Sequence, residues 1–323
     1  MNSRGGRHSR QIANPAARWP RHRMLLLAFG GVIVVAVGAV IAFEFAPAPS
    51  PMHSSAPALP VRAVPNPSRP SGAATPSARA PIAGNLASDF ARLESGLHAR
   101  TGVVIRPVGS EADEPVTVLG EWSSGPAWST IKVPLVIAAM REQNSDQVTS
   151  QMTAAITESD NAAAEAIWEG LGEPSTAADK VGAVLREAGD PTTVQSQKVR
   201  REYTAFGQTD WSLTNQASFL SAAACNPADE QVLALMGKVD SVQKWGLGVL
   251  SDTKIKGGWG PSPSGRYLVR QMGIVPTSNG SIVVAMAAEP DSGTFADGSE
   301  ELSEIARWLD DRVDFLPAAH CRS

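Results

Sequence analysis

Three short segments carry residue types that could do chemistry together. Ser129-Thr-Ile-Lys132 opens the apolar run Val133-Pro-Leu-Val-Ile-Ala-Ala-Met140. Residues three apart on a helix share a face, so the Lys132 amine can reach the Ser129 hydroxyl. Pro134 suits a first helical turn, where a missing N–H costs little. The apolar surround predicts a helix buried through the core. Burial disfavours an ammonium and lowers its pKa, which makes Lys132 a candidate base for a nucleophilic Ser129. The helix N-terminus adds a dipole that favours developing negative charge. Downstream stand Ser159-Asp-Asn161 and Lys256-Gly-Gly258. Ser-x-x-Lys recurs at Ser241–Lys244 and Ser251–Lys254, and Lys-x-Gly at Lys180–Gly182 and Lys244–Gly246, so none of the short patterns is specific alone. Their order is informative. Only Ser129 precedes Ser159-Asp-Asn161, and only Lys256 lies on a strand-like run beside a run that bears arginine.

Other chemistries find no support in the residue types. Of the five histidines, His8, His22 and His53 fall in the first 80 residues, leaving His98 and His320 near the ends of the remainder. A Ser-His-Asp triad or a histidine zinc site would need one of these two at its centre. No Gly-x-x-x-x-Gly-Lys-Ser/Thr segment is present, and no dinucleotide fingerprint follows a strand. The chain is read as needing no cofactor. The formal charge is −4 overall; residues 1–23 contribute +6 and residues 24–80 add +2, so residues 81–323 carry −12. An acidic body lacks the clustered Lys and Arg that tracking phosphates requires, so no nucleic-acid partner is expected.

The elements that must hold these segments can be read coarsely. Ile82, Leu86, Phe90, Leu93 and Leu97 recur at helical spacing. Val103–Val108 and Val116–Leu119 read as a hairpin. Ser129 to Asp240 is mostly helical, with breaks at Gly170-Leu-Gly172, Gly189-Asp-Pro191 and Asn226-Pro227. Strand-like runs return at Val249–Lys256, Arg266–Val275 and Ser281–Ala288. A helix bearing Leu302, Ile305, Ala306, Leu309 and Val313 closes the chain. The fold class expected is α/β: an antiparallel sheet flanked by helices, with an inserted all-α lobe. A cleft between two such lobes is a usual place for a substrate.

With that order in place, the three segments resemble the motifs of class A β-lactamases and penicillin-binding proteins. The resemblance spans nearly the whole of residues 81–323. It implies Ser129 as the acylated nucleophile, Lys132 as its proton acceptor and Ser159 as proton donor to the leaving nitrogen. Asn161 would hold the substrate's amide side chain, and Lys256 would shape the electrostatics. The N–H groups of Ser129 and Trp259, around Gly258, would form an oxyanion hole. The chain departs from the family in three ways. Ser129 and Ser159 are 30 residues apart, about half the class A separation and nearer that of small D,D-peptidases. Gly257 stands where the family has Thr or Ser; Arg266, or as second choice Arg270, could supply a guanidinium for the substrate carboxylate instead. The loop opened by Gly189-Asp190 and closed near Trp211-Ser-Leu-Thr214 lacks a Glu-x-x-Leu-Asn pattern. Glu202, the only acid between Asp190 and Asp210, is the candidate deacylation base. The function expected is a β-lactamase-type serine hydrolase acting on a β-lactam. The alternatives are a D,D-peptidase acting on D-Ala-D-Ala-type stem peptides, and an inactive wall-facing binding module.

The first 80 residues read as a delivery device. Residues 1–23 hold six arginines and no acid, forming a basic cytoplasmic arm. Residues 24–45 are expected to be a transmembrane signal-anchor, since its uncharged run of twenty residues would span roughly 30 Å. The positive flank predicts a cytoplasmic arm and an extracytoplasmic body; a signal peptide cleaved near Ala46-Pro-Ala48 is the alternative. Residues 46–80, with nine prolines, form a linker of semi-rigid composition. The body is expected to be monomeric. Cys225 and Cys321 could form one disulfide in that compartment, but nothing in the sequence brings them together, and two separate thiols is an equal reading.

Overall fold

A computed structural model describes residues 82–110, 114, 116–144 and 147–322. The expected arm, anchor and linker lie outside those residues. Among the described residues no helix is long and apolar enough to cross a membrane.

The centre is a five-stranded antiparallel sheet in the order β2-β1-β7-β6-β5. Its strands are β1 Ala99–Pro107, β2 Thr117–Gly120, β5 Lys254–Pro261, β6 Tyr267–Thr277 and β7 Gly280–Pro290. Most of β7 is buried on both faces, and its side chains divide with the period of two that a strand imposes. Ile282, Val284, Met286 and Ala288 join one apolar cluster with Leu86 and Phe90 of helix α1 (Ile82–Glu94) and with Leu302, Ile305, Ala306 and Leu309 of helix α8 (Phe295–Asp310). Val283, Ala285 and Ala287 face the other way, into a cluster with the helical block. That block runs from α2 (Lys132–Gln143) through α3 (Ser150–Thr157), α4 (Asn161–Gly170) and α5 (Pro174–Glu187) to α6 (Leu213–Ala223) and α7 (Glu230–Met236). The expected order of helix, two strands, helical block, three strands and helix is what the chain adopts, and the fold class is as read from the sequence.

One strand lies further along the chain than expected, and a second sheet was not expected. The fifth strand was expected at Val249–Lys256 but runs Lys254–Pro261. Asp252 takes a left-handed φ of 57°, ending the approach to the strand, whereas Gly257, Gly258 and Gly260 lie inside it. They are there because other parts of the chain come too close for a side chain. A second, two-stranded ribbon pairs β3 (Ser124–Pro126) with β4 (Asp210–Ser212). Three residues per strand, separated by most of the helical block, leave no local pattern to read.

Cys225 and Cys321 are joined in a disulfide across 96 residues. It ties the C-terminal tail to the end of α6, beside Gly109, where an added Cβ would meet the Cys225 sulfur at 2.9 Å. Position 109 also has a φ of 65°, so glycine is required there on two counts.

Candidate active site

Trp128–Ile131 forms a single 3-10 turn that runs directly into α2. Ser129 thus lies in the first turn of a continuous helical segment, where backbone N–H groups have no intrahelical acceptor. Every residue from Lys132 to Met140 is buried, Pro134 included, so the segment runs through the core as its composition requires. Trp128, just before Ser129, has a φ of 49°, a left-handed conformation that a bulky residue adopts only when its surroundings force it. Its ring lies against Gly260, where an added Cβ would come within 2.5 Å of it, and makes an edge contact with Tyr203 at 5.1 Å.

The Ser159-Asp-Asn161 segment is the turn between α3 and α4. Ser159 has a left-handed φ of 59°, Asp160 caps α4 by accepting from the Ala163 N–H at 2.7 Å, and Asn161 begins the helix. Lys132 reaches this turn from below: its Nζ donates to the Ser159 carbonyl at 2.5 Å, the Asp160 carbonyl at 3.2 Å and Asn161 Oδ1 at 2.8 Å. Lys256 reaches it from β5, donating to Ser159 Oγ at 2.8 Å and to its neighbour's carbonyl, Gly257 O, at 3.0 Å. Lys132 Nζ is also 3.5 Å from Ser159 Oγ. One hydroxyl therefore stands between two lysine amines, both buried.

Burial lowers the pKa of Lys132 to about 7, against a smaller opposing pull from the Asp160 carboxylate. Lys256 is pushed well below its ordinary value, chiefly by complete burial and then by repulsion from Lys132. Two ammonium groups sharing one buried hydroxyl repel each other, so at neutral pH the pair favours having a free amine. Among the described residues no hydrogen bond links Lys132 Nζ to the Ser129 hydroxyl, so the sequence-based pairing is one of proximity along the turn. Hydrogen bonds of this kind are often made only once substrate is in place.

β5 is the edge strand of the sheet, so alternate N–H groups along it point away from β6. Gly258 lies directly against the Ser129 turn: a Cβ there would meet Ala127 O, Ser129 N and Thr130 N, each at 2.9 Å. Such proximity suits the expected pairing of the Ser129 and Trp259 N–H groups at one oxyanion. Position 257 is different. A Cβ would run into the Trp245 ring at 2.7 Å, so the place of the family's hydroxyl residue is filled by an indole.

Ser129 and Asn161 line a cleft of about 400 Å³ together with Glu165, Lys198, Glu202, Tyr203, Thr204, Trp259 and Tyr267. Its outer wall is the loop from Asp190 to Thr209. Buried Asp190 anchors the start by accepting from the Thr192 N–H at 2.9 Å and from Trp211 Nε1 at 2.6 Å. Gln208 holds the middle, its amide donating to the carbonyls of Arg200 and Thr204 while accepting from the Arg200 N–H. Glu202 does line the cleft, but its side chain is 60% exposed and takes the Arg200 guanidinium at 3.2 Å.

Neither arginine proposed for the substrate carboxylate enters this cleft. Arg266 Nη2 donates to the carbonyls of Pro290 and Asp291 at 2.8 and 3.0 Å, and the residue lines a neighbouring cavity of about 680 Å³. Arg270 is fully buried, donating to the carbonyls of Gly125, Pro126 and Trp211 and to Gln216 Oε1. It fastens the β3–β4 ribbon, hence the approach to Ser129, onto β6. Burial lowers its pKa to about 9. Glu165 and Lys198 were missed by the sequence reading. Glu165 had a signal, four residues after Asn161 on the same helix face; Lys198 had none.

No family model matches the chain, and no curated protein matches it by sequence. Solved structures do. The TLA-3 extended-spectrum β-lactamase superposes with a TM-score of 0.58 at 15% identity, covering 72% of this chain and 99% of that one. The TLA-1 extended-spectrum β-lactamase gives 0.57 at 15%, over 72% and 99%. A reconstructed class A β-lactamase of the last common ancestor of Gram-negative bacteria gives 0.54 at 21%, over 71% and 99%. At such identities the likeness establishes architecture alone. The chain has a β-lactamase/transpeptidase-like fold.

Proposed function

We propose that this chain is a serine hydrolase of β-lactamase type that is acylated on Ser129. The observation that carries the reading is the Ser159 hydroxyl standing between the buried amines of Lys132 and Lys256. Ser129 Oγ attacks the lactam carbonyl and gives its proton to Lys132, while the Ser129 and Trp259 N–H groups take the oxyanion. The C–N bond then breaks. Ser159 protonates the departing nitrogen and is itself resupplied from the lysine pair. Water hydrolyses the resulting ester and frees Ser129. We place the domain outside the cytoplasmic membrane, held by the apolar run of residues 24–45; the Cys225–Cys321 disulfide fits an oxidising compartment.

A second reading, a D,D-peptidase acting on wall stem peptides, is favoured by the 30-residue spacing of the first two motifs. Incubation of the full chain with a chromogenic cephalosporin, followed by intact mass, separates the outcomes. The hydrolase predicts colour change with a transient adduct that Ser129→Ala abolishes. A long-lived penicilloyl adduct with release of D-alanine from stem-peptide mimics favours the peptidase. No adduct and no hydrolysis, with Ser129→Ala indistinguishable from the parent, refutes both.

A further inference from the structure

We propose that Glu165, and not Glu202, is the carboxylate that activates water in deacylation. The inference rests on the acyl-enzyme reading above and deepens it. Both acids line the cleft that Ser129 lines, but they are held differently. Glu202 sits on the outer loop with its side chain 60% exposed, and its Oε1 accepts from both Nε and Nη2 of Arg200 at 3.3 and 3.2 Å. That guanidinium is itself committed elsewhere: it donates to the Pro261 carbonyl and lies 4.3 Å from the centre of the Tyr203 ring. The pair faces the rim.

Glu165 stands on α4, one turn beyond Asn161, whose Oδ1 receives the Lys132 amine. Residues four apart on a helix share a face, so its carboxylate is carried by the same rigid element that positions the Ser159–Asn161 turn. Its side chain is only 26% exposed. Lys198 from the loop donates to Oε1 at 2.8 Å, which fixes the carboxylate and leaves Oε2 to a water. A base on a helix with one oxygen restrained is better ordered than a base on a loop beside solvent.

The water oxygen bonds to the ester carbonyl carbon as its proton passes to Glu165, and the carbonyl electron pair moves onto the oxyanion held by the Ser129 and Trp259 N–H groups. Collapse breaks the bond between that carbon and Ser129 Oγ. The serine oxygen leaves with the electron pair and takes up the proton, so both residues end as they began.

The test uses the full chain with a chromogenic cephalosporin, following adduct mass through single turnovers in parent, Glu165→Gln and Glu202→Gln. Glu165→Gln is expected to acylate and then accumulate the adduct, with deacylation slowed about 100-fold or more, the usual scale for a lost general base. Added hydroxylamine, which needs no base, should release that adduct. A merely structural role would impair acylation and deacylation together. An adduct on the parent with Glu165→Gln deacylating at the parent rate overturns the assignment, as does a larger loss in Glu202→Gln. A parent adduct as long-lived as that of Glu165→Gln also overturns it, since no deacylation is then left to catalyse. No adduct on the parent instead sinks the acyl-enzyme reading itself.

Discussion

The two faces of strand β5 show how differently one short run of residues can be used. On the inner face lie Lys256, Gly258 and Gly260, each in contact with the Ser129 or Ser159 turn: an amine on Ser159, a bare Cα under Ser129, and a flat space for the Trp128 ring. On the outer face lie Ile255, Gly257 and Trp259. There Ile255 and Trp259 belong to the apolar cluster beneath α1 and α8, and Trp245, Trp259 and Phe295 pack ring against ring at 4.9 to 6.0 Å. Glycine occurs on both faces for unlike reasons. Gly258 admits backbone, where nothing can give way; Gly257 admits a side chain, which can. A missing hydroxyl at position 257 is therefore part of a packed indole cluster and not a gap in the cleft.

The comparison breaks most readily on the inner face. Gly258→Ala pushes a methyl to within 2.9 Å of three backbone atoms of the Ser129 turn. It should displace the Ser129 N–H from the oxyanion position, and losing one such donor costs about 100- to 1,000-fold in rate. Acylation measured by stopped-flow should fall by that order while circular dichroism stays unchanged. An acylation rate close to the parent's would mean that Gly258 does not set the oxyanion geometry.

A smaller inner-face effect is the dependence on pH. With Lys132 lowered to about 7 by burial, the amine is protonated below that pH and free above it. The acylation rate should rise about tenfold per pH unit on the acid side and level off above about 7. The sign follows from the group's role: a proton acceptor works only when its own proton is gone. A flat profile from pH 5 to 8 would remove Lys132 as the base.

How far these roles could be read from the chain alone depends on how local each one is. Ser129 with Lys132, and Ser159 with Asn161, sit within a turn of each other, so their short patterns, taken in order along the chain, were enough to single them out. The Val283, Ala285 and Ala287 side of β7 could be told from its Ile282, Val284 and Met286 side by alternation, although both are buried. What escaped depends on distant backbone. The limits of β5 were misread because the β-branched run stops at Lys256, whereas the strand continues through Gly257, Gly258 and Gly260, where Trp245, the Ser129 turn and Trp128 leave no room for a side chain. Arg270 looked like a possible carboxylate binder, yet its acceptors include carbonyl oxygens of Gly125, Pro126 and Trp211, groups that every residue carries. The cysteine pair, 96 residues apart, carried no local signal at all.

The outer face gives the smallest effect and the sharpest discrimination. If position 257 were simply short of a hydroxyl, Gly257→Thr would improve substrate binding and lower KM. The packing argues otherwise, because the new Cβ would lie 2.7 Å from the Trp245 ring. Overfilling a packed site of this kind costs about 1–3 kcal/mol, so urea denaturation should show a lower midpoint without a gain in kcat/KM. Trp245→Phe alone should be destabilising, since it leaves space in the ring cluster. In the double variant the two defects fit one another: the smaller ring vacates the volume that threonine needs. Stability should then exceed the sum of the single losses by about 0.5–3 kcal/mol, the range for residues in direct contact. Strict additivity would mean that the Trp245 ring does not limit what position 257 can hold, and the reading of Gly257 as space kept for that ring would fall with it.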